Sequence, residues 1–252
     1  MARSILTRLA LPLAALLAGA LPAHAASLQV SPVTLSFQPG QPALGLTLRN
    51  SGDAPLTGQV RVFSWTQNGK DDVLEPVQAL VASPPMVLIP QQGEQLVRVV
   101  RTDRKPADRE LTYRLLIDEL PPPQGTASTG EVTGGVNFRL RYSLPVFVPM
   151  PGAPGEPKLG WRLQQHDGAW YLAASNQGGS HAQLSSVKLL GAGGESFEVS
   201  AGLLGYALAG SGREWRLADR FPPRLAAAGL RVQATVNGAA QPAAAVAVGA
   251  SP

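Results

Sequence analysis

Past its first 25 residues the chain is a run of short alternating stretches, each closed by turn chemistry, and that rhythm admits few folds. Leu28, Val30, Val33, Leu35 and Phe37 alternate weakly up to the turn at Gln38-Pro-Gly40. Leu44, Leu46 and Leu48 follow, up to Arg49-Asn-Ser-Gly-Asp53. Gln59 to Trp65 carries Val60 and Val62 on one face. Gln67-Asn-Gly-Lys70 reads as a hairpin turn, because Asn-Gly tolerates the positive φ that tight hairpins need. Val77 to Val81 is a short strand interrupted at Ser83-Pro-Pro85, and proline in a strand implies an edge or a crossover. Met86 to Ile89 and Gln95 to Arg101 flank Pro90-Gln-Gln-Gly93, and Glu110 to Leu120 alternates until Pro121-Pro-Pro123 stops it. Strands spaced by about ten residues with no helical period predict an immunoglobulin-like sandwich.

Gly134 to Pro149 is the longest alternating stretch and completes this first sandwich. Val136, Phe138, Leu140, Tyr142 and Leu144 fall on one face, and Asn137, Arg139, Arg141 and Ser143 on the other. From alternation alone the apolar face has two readings, an ordinary core face or a surface offered to another protein, and one long strand can combine them.

Pro149 to Gly155 is a proline-stiffened linker by composition. Beyond it, 158–164, 169–175, 182–190, 203–209, 213–217, 230–236 and 243–248 read as strands, with turns at His166-Asp-Gly168 and Asn176-Gln-Gly-Gly179. The fold expected is all-β, with two sandwiches over 26–149 and 156–252 joined by a linker at 150–155.

Met1 to Ala25 reads as a secretory signal peptide, with Arg3 and Arg8, an apolar run from Leu9 to Leu21, and Ala23-His-Ala25 for cleavage. The apolar run is short of the roughly 20 residues that span a bilayer. An exported chain without membrane insertion is expected. Removing the two signal arginines leaves 19 basic against 17 acidic residues, a balance that does not argue for nucleic acid. With no cysteine, neither disulfides nor thiolate metal sites hold the fold.

Motifs for catalysis are missing. His166 and His181 are the only histidines after the signal peptide, and His166-Asp167 reads as a polar hairpin turn. There is no Gly-x-Ser-x-Gly elbow, phosphate-binding glycine loop or metal-binding histidine pair. Asp71-Asp72 reads as a solvated pair after the Asn-Gly turn. The expectation is a protein that is not an enzyme and uses no cofactor or metal.

Three stretches carry a resemblance. The first runs from Pro76-Val77 through Ala82-Ser-Pro-Pro85, Ile89-Pro90 and Gly93 to Val97-Arg98. The second is Arg109-Glu-Leu-Thr-Tyr-Arg-Leu-Leu-Ile-Asp-Glu-Leu-Pro-Pro122, and the third is Tyr142-Ser-Leu-Pro-Val-Phe-Val148. Over residues 27–150 the chain resembles periplasmic pilus-assembly chaperones of the chaperone-usher class, and the third stretch is similar to their archaic branch. The second half resembles them in architecture and in Asn176 at a turn.

The resemblance implies two immunoglobulin-like domains set at an angle, working in the periplasm. The long last strand of the first domain is lent to a spore-coat-protein-U-like pilus subunit that lacks a strand, and the subunit is delivered to an outer-membrane usher. Val136, Phe138, Leu140 and Tyr142 are the expected inserted face. Family members anchor the subunit's terminal carboxylate with an arginine, where this chain has Thr34, and a lysine late in the donor strand, which here has none. Arg141 first, then Arg139 and Arg101, are the candidate replacements. Arg98 and Glu119 match the family's buried interdomain charge pair, with Asn237 where a third, acidic partner is usual. The alternative is an exported structural sandwich, itself a surface or pilus component. An enzyme or glycan-binding sandwich would need a polar and aromatic cleft, whereas Trp65, Trp161, Trp170 and Trp215 are spread over both halves as core or turn residues.

Overall fold

The computed structural model describes residues 28–103, 108–121, 139–152 and 155–250. The signal segment and most of the stretch before Arg139, including Val136 and Phe138, lie outside the described residues. No helix among the described residues is long and apolar enough to cross a membrane.

The first half forms two sheets. One holds β1 (Leu28–Ser31), β3 (Ala43–Asn50), β8 (Glu94–Arg101) and β6 (Leu80–Ser83) in the order β1-β3-β8-β6. The other runs β2 (Leu35–Ser36), β10 (Arg141–Val148), β9 (Leu111–Leu120), β4 (Leu56–Gln67) and β5 (Asp72–Pro76), with β7 (Met86–Ile89) also on β4. Between them lies one core that includes Leu28, Leu46, Leu48, Ile89, Val97, Leu115, Ile117 and Val146. Each such side chain withdrawn from water stabilises the fold by about 1.5–3 kcal/mol before entropy is counted.

Two chain segments change sheets, and both do so at proline. The expected single strand over 27–37 is two, because β1 joins the first sheet and β2 the second, with Pro32 between them. Ser83-Pro-Pro85 is likewise a crossover from β6 in one sheet to β7 in the other. The Val77–Val81 strand is not observed. Residues 72–76 instead form β5, the return arm of the Asn68-Gly69 hairpin, and β6 begins at Leu80. Gly69 takes φ 98° there, a conformation glycine adopts without a Cβ penalty.

The second half is an eight-stranded arrangement around its own core, which contains Leu163, Leu172, Leu184, Leu189 and Val232. Its strands are β11 (Leu159–His166), β12 (Ala169–Asn176), β13 (Ala182–Leu190), β14 (Ser196–Ala207), β15 (Ser211–Arg216), β16 (Arg231–Val236), β17 (Ala239–Ala240) and β18 (Ala244–Ala250). They run β14-β13-β16-β18-β11-β12-β15, with β17 on β16. β18 links two layers, pairing antiparallel to β16 at its start and parallel to β11 from Val246. β14 starts at Ser196, well before the expected Leu203, and three register irregularities against β13 explain its weak alternation.

Each half uses one buried asparagine to staple a strand end. Asn50 donates to the carbonyls of Ala54, Ile89 and Pro90, and its own oxygen accepts from Gly52. Asn176 donates to Ser180 and Ala207 and accepts from Lys158 and Gly178. A Cβ on Gly178 would fall 2.1 Å from the Glu156 carbonyl oxygen, so the segment entering the second half packs directly on this backbone.

Candidate functional site

β10 lies beside the edge of its sheet, and its two ends differ. β9 pairs with it along its full length, from Arg141↔Asp118 to Val148↔Leu111. On its other edge, β2 covers only Val146 and Phe147. Glu119 donates its N–H to the Leu140 carbonyl at 3.0 Å, so even-numbered residues direct their backbone groups at β9. Odd-numbered residues direct theirs outward, as Phe147 does in accepting from the Phe37 N–H at 2.9 Å. Arg141, Ser143 and the carbonyl of Pro145 therefore face an edge with no strand beside it among the described residues. Pro145 sits at an outward position, where its missing N–H leaves the β9 ladder intact.

Side chains alternate at right angles to that edge. Leu144, Val146 and Val148 are buried in the first core, and Leu140 and Tyr142 pack against it half-buried. The Tyr142 hydroxyl donates to the Leu28 carbonyl at 2.5 Å, tying β10 to the opposite sheet. Of the two readings of this face, the described part takes the core reading. Leu140 and Tyr142 belong to the chain's own sandwich, where they form the margin of an apolar layer that ends at an open edge.

The far end of β10 is clamped by the second half. Phe147 stacks on His181 with ring centroids 3.5 Å apart and planes 5° from parallel. It shares a small cluster with Trp65, Tyr206 and Leu208. Trp65 meets Tyr206 edge-on at 5.2 Å. The Gln67 amide donates to the Tyr206 carbonyl at 2.8 Å and accepts from the Leu208 N–H at 3.0 Å. With Phe147 covered by this cluster, β10 is buried on both faces at its far end.

Charge crosses the same junction. The buried Glu110 carboxylate lies 2.6 Å from His181 Nδ1, and Arg213 lies 2.6 Å from Asp72. Burial pushes the Asp72 carboxyl up, but hydrogen bonds from Gln67 and Arg213 outweigh it and hold Asp72 below its ordinary value. Arg114 projects from the middle of β9, opposite Pro145, with its guanidinium 3.6 Å from the Trp65 ring centroid. Burial lowers the Arg114 pKa from its ordinary value while Asp72 opposes the shift.

The expected charge pair is corrected here. Arg98 is exposed on β8, paired in register with Gly45 and Ser83, in the sheet that does not contain Glu119. Glu119 is half-buried, and its carboxylate accepts from the Leu140 N–H at 3.3 Å. Asn237 bonds to the backbone of Gln183 and His181. Glu110–His181 and Asp72–Arg213 carry the interdomain charge instead. Asp72, expected to be solvated, is among the residues that join the halves, and Trp65 is a junction residue where a core or turn role was expected.

The candidate anchors scatter. Arg141 pairs with Asp118, which also holds Arg61 at 2.6 Å. Arg139 is exposed just before β10 begins. Arg101 ends β8 in the other sheet, opposite Leu80. Arg139 and Arg141 share one locality, and Arg101 does not belong to it. His166, at its hairpin, is flanked by Asp167 and Glu214 at 3.2 Å each and stacks on Tyr171 at 3.9 Å.

The first half is thus a two-sheet unit whose last strand lies at an edge incompletely covered among the described residues and is clamped by the second half. Residues 27–151 match the family described as pili and flagellar-assembly chaperone, PapD N-terminal domain, and the chain belongs to that family. It is similar to chaperone protein FimB/FhaD of Bordetella pertussis, at 28% identity over 149 residues. That match covers 57% of this chain and 59% of the relative, so the chain spans about three-fifths of the curated relative's length. Among solved structures it is similar in fold to the chaperone in the CsuC–CsuE chaperone–tip adhesion subunit pre-assembly complex of archaic chaperone-usher Csu pili from Acinetobacter baumannii. The TM-score is 0.68 at 22% identity, over 90% of this chain and 100% of that one. The complex of SafA pilin with the SafB chaperone of Salmonella enterica matches at TM-score 0.57 and 17% identity, over 88% and 96% of the two chains.

Proposed function

We propose that this chain is a periplasmic chaperone that holds pilus subunits by adding the free edge of β10 to an open subunit sheet, then passes them to an outer-membrane usher. The observation that carries the reading is the uncovered edge at Arg141–Pro145, beside an apolar layer ending at Leu140 and Tyr142. A subunit sandwich short of one strand exposes unpaired backbone groups and apolar side chains, and such edges aggregate. An added strand satisfies the backbone and continues the apolar layer. Val136 and Phe138 extend the alternation of Leu140 and Tyr142 and supply the inserted face. A spore-coat-protein-U-like subunit is the partner class, in keeping with the Tyr142-Ser-Leu-Pro-Val-Phe-Val148 run. The clamp at Phe147 holds the strand's register while its other end is engaged.

The backbone parity supplies the test. Ser143→Pro removes an outward N–H and leaves the β9 ladder whole. Co-expressed with a spore-coat-protein-U-like subunit, this variant and Phe138→Asp should remain folded and lose soluble subunit by tenfold or so, the effect of about 1.4 kcal/mol. Subunit recovery equal to wild type in both variants refutes strand addition at this edge.

A further inference from the structure

We propose that the strand received at the β10 edge carries an acidic side chain on its outward face, seated beside Arg141; this rests on the strand-addition reading above. Gln59, Asp118 and Arg141 lie abreast on β4, β9 and β10, and Arg61, Leu116 and Ser143 form the next row. On the sheet's outer surface these rows border a cavity of 430 Å³ whose lining includes Arg61, Arg139 and Arg141 with Asp118 and Glu119. Among these lining residues the arginines outnumber the carboxylates three to two.

How those charges are used locates the excess. Asp118 is shared, with Arg61 on one carboxylate oxygen and Arg141 on the other. Burial pushes its carboxyl up, but the two arginine hydrogen bonds outweigh that and hold it below its ordinary value. Glu119 is turned toward the Leu140 N–H. The Asp118 side chain is 11% exposed, whereas that of Arg141 is 65% exposed and stands on the edge strand itself. Arg141 uses its Nε on Asp118 and has further N–H donors beyond that bond.

A strand added at this edge puts its outward side chains next to those of Arg141 and Ser143 at cross-strand distance. Opposite charges at such positions attract, and like charges repel. An acidic residue in register with Arg141 completes a row that runs Gln59, Asp118, Arg141, acid. A basic residue there meets uncompensated guanidinium. The row thereby favours one pairing register of the incoming strand over a slip by two residues, which preserves the apolar face and is not otherwise penalised.

The test uses the full chain and synthetic peptides of alternating valine and threonine that differ only in the central outward residue, Glu, Ser or Lys. Affinity is read by anisotropy of the labelled peptide. The Glu peptide should bind about two- to fivefold more tightly than the Ser peptide, with Lys the weakest. In Arg141→Ser the ratio of Glu-peptide to Ser-peptide affinity should fall to about one; Asp118 keeps Arg61 in that variant. On the unaltered chain the Glu preference should also shrink as salt rises, which gives a readout independent of any variant. Equal binding of the Glu and Ser peptides, or a preference that survives Arg141→Ser, overturns the inference and leaves strand addition standing. Failure of all three peptides to bind overturns strand addition itself and this inference with it.

Discussion

Glu110 and His181 are joined across the two halves of the molecule by the carboxylate oxygens at 2.6 and 2.7 Å from Nδ1, with the His181 backbone N–H at 3.2 Å from the same group. A carboxylate only accepts, so Nδ1 carries the proton. Glu110→Ala strands these donors in a site that is 6% exposed at the glutamate and 20% at the histidine. It should cost about 2 kcal/mol in urea unfolding. A double-mutant cycle with His181→Ala should show coupling of about 1 kcal/mol, and simple additivity would disprove the link.

Phe147 is a side chain through which β10 reaches the second half. It is 3% exposed and stacked on His181. Phe147→Ala should destabilise the protein by about 3–5 kcal/mol. Limited proteolysis at the 150–155 segment should accelerate in the same variant, and unchanged cleavage would show that the halves stay docked without the ring.

Asp72 makes the junction acid-sensitive. Its folded pKa is lowered, so its contribution is present above the unfolded value of about 3.9 and is lost as pH falls through the lower folded value. Melting temperatures of wild type and Asp72→Asn should differ most near neutral pH and converge in acid. A constant gap down to about pH 3 would exclude this linkage.

His166 has the opposite sign. The Asp167 hydrogen bond raises its pKa, with Glu214 adding to the shift. The stabilisation is therefore full below about pH 6.5 and disappears as pH rises through the raised folded value. His166→Gln should melt below wild type in mild acid and match it in mild alkali, as scanned by circular dichroism.

Much of the fold was legible because strand alternation and turn chemistry are local. The second-half strands at 182–190 and 230–236 were expected within a residue of where they lie. Errors cluster where the chain changes sheets. The run over 27–37 keeps its alternation while switching partners, so its division into β1 and β2 leaves no mark in periodicity. β5 was missed because Asp72–Pro76 is a mostly exposed edge with no buried face to show.

The candidate site was legible only in part. Leu140, Tyr142 and Arg141 were correctly placed on opposite faces of one strand, since period two requires it. Arg98 and Glu119 were paired by family likeness, and they sit in different sheets. The pairs that do form, Glu110 with His181 and Asp72 with Arg213, are 71 and 141 residues apart. No local pattern announces a contact at such separation.

By itself, the sequence determined an all-β chain in two halves and a long alternating strand before the linker, because turns and side-chain period are properties of neighbouring residues. Tertiary structure alone decided which stretch of that strand is covered and which is free. β2 shields only Val146 and Phe147, and the second half buries Phe147, while Arg141 to Pro145 keep an edge with no strand beside it among the described residues. Edge exposure depends on what other segments pack alongside, and that is settled only when distant parts of the chain meet.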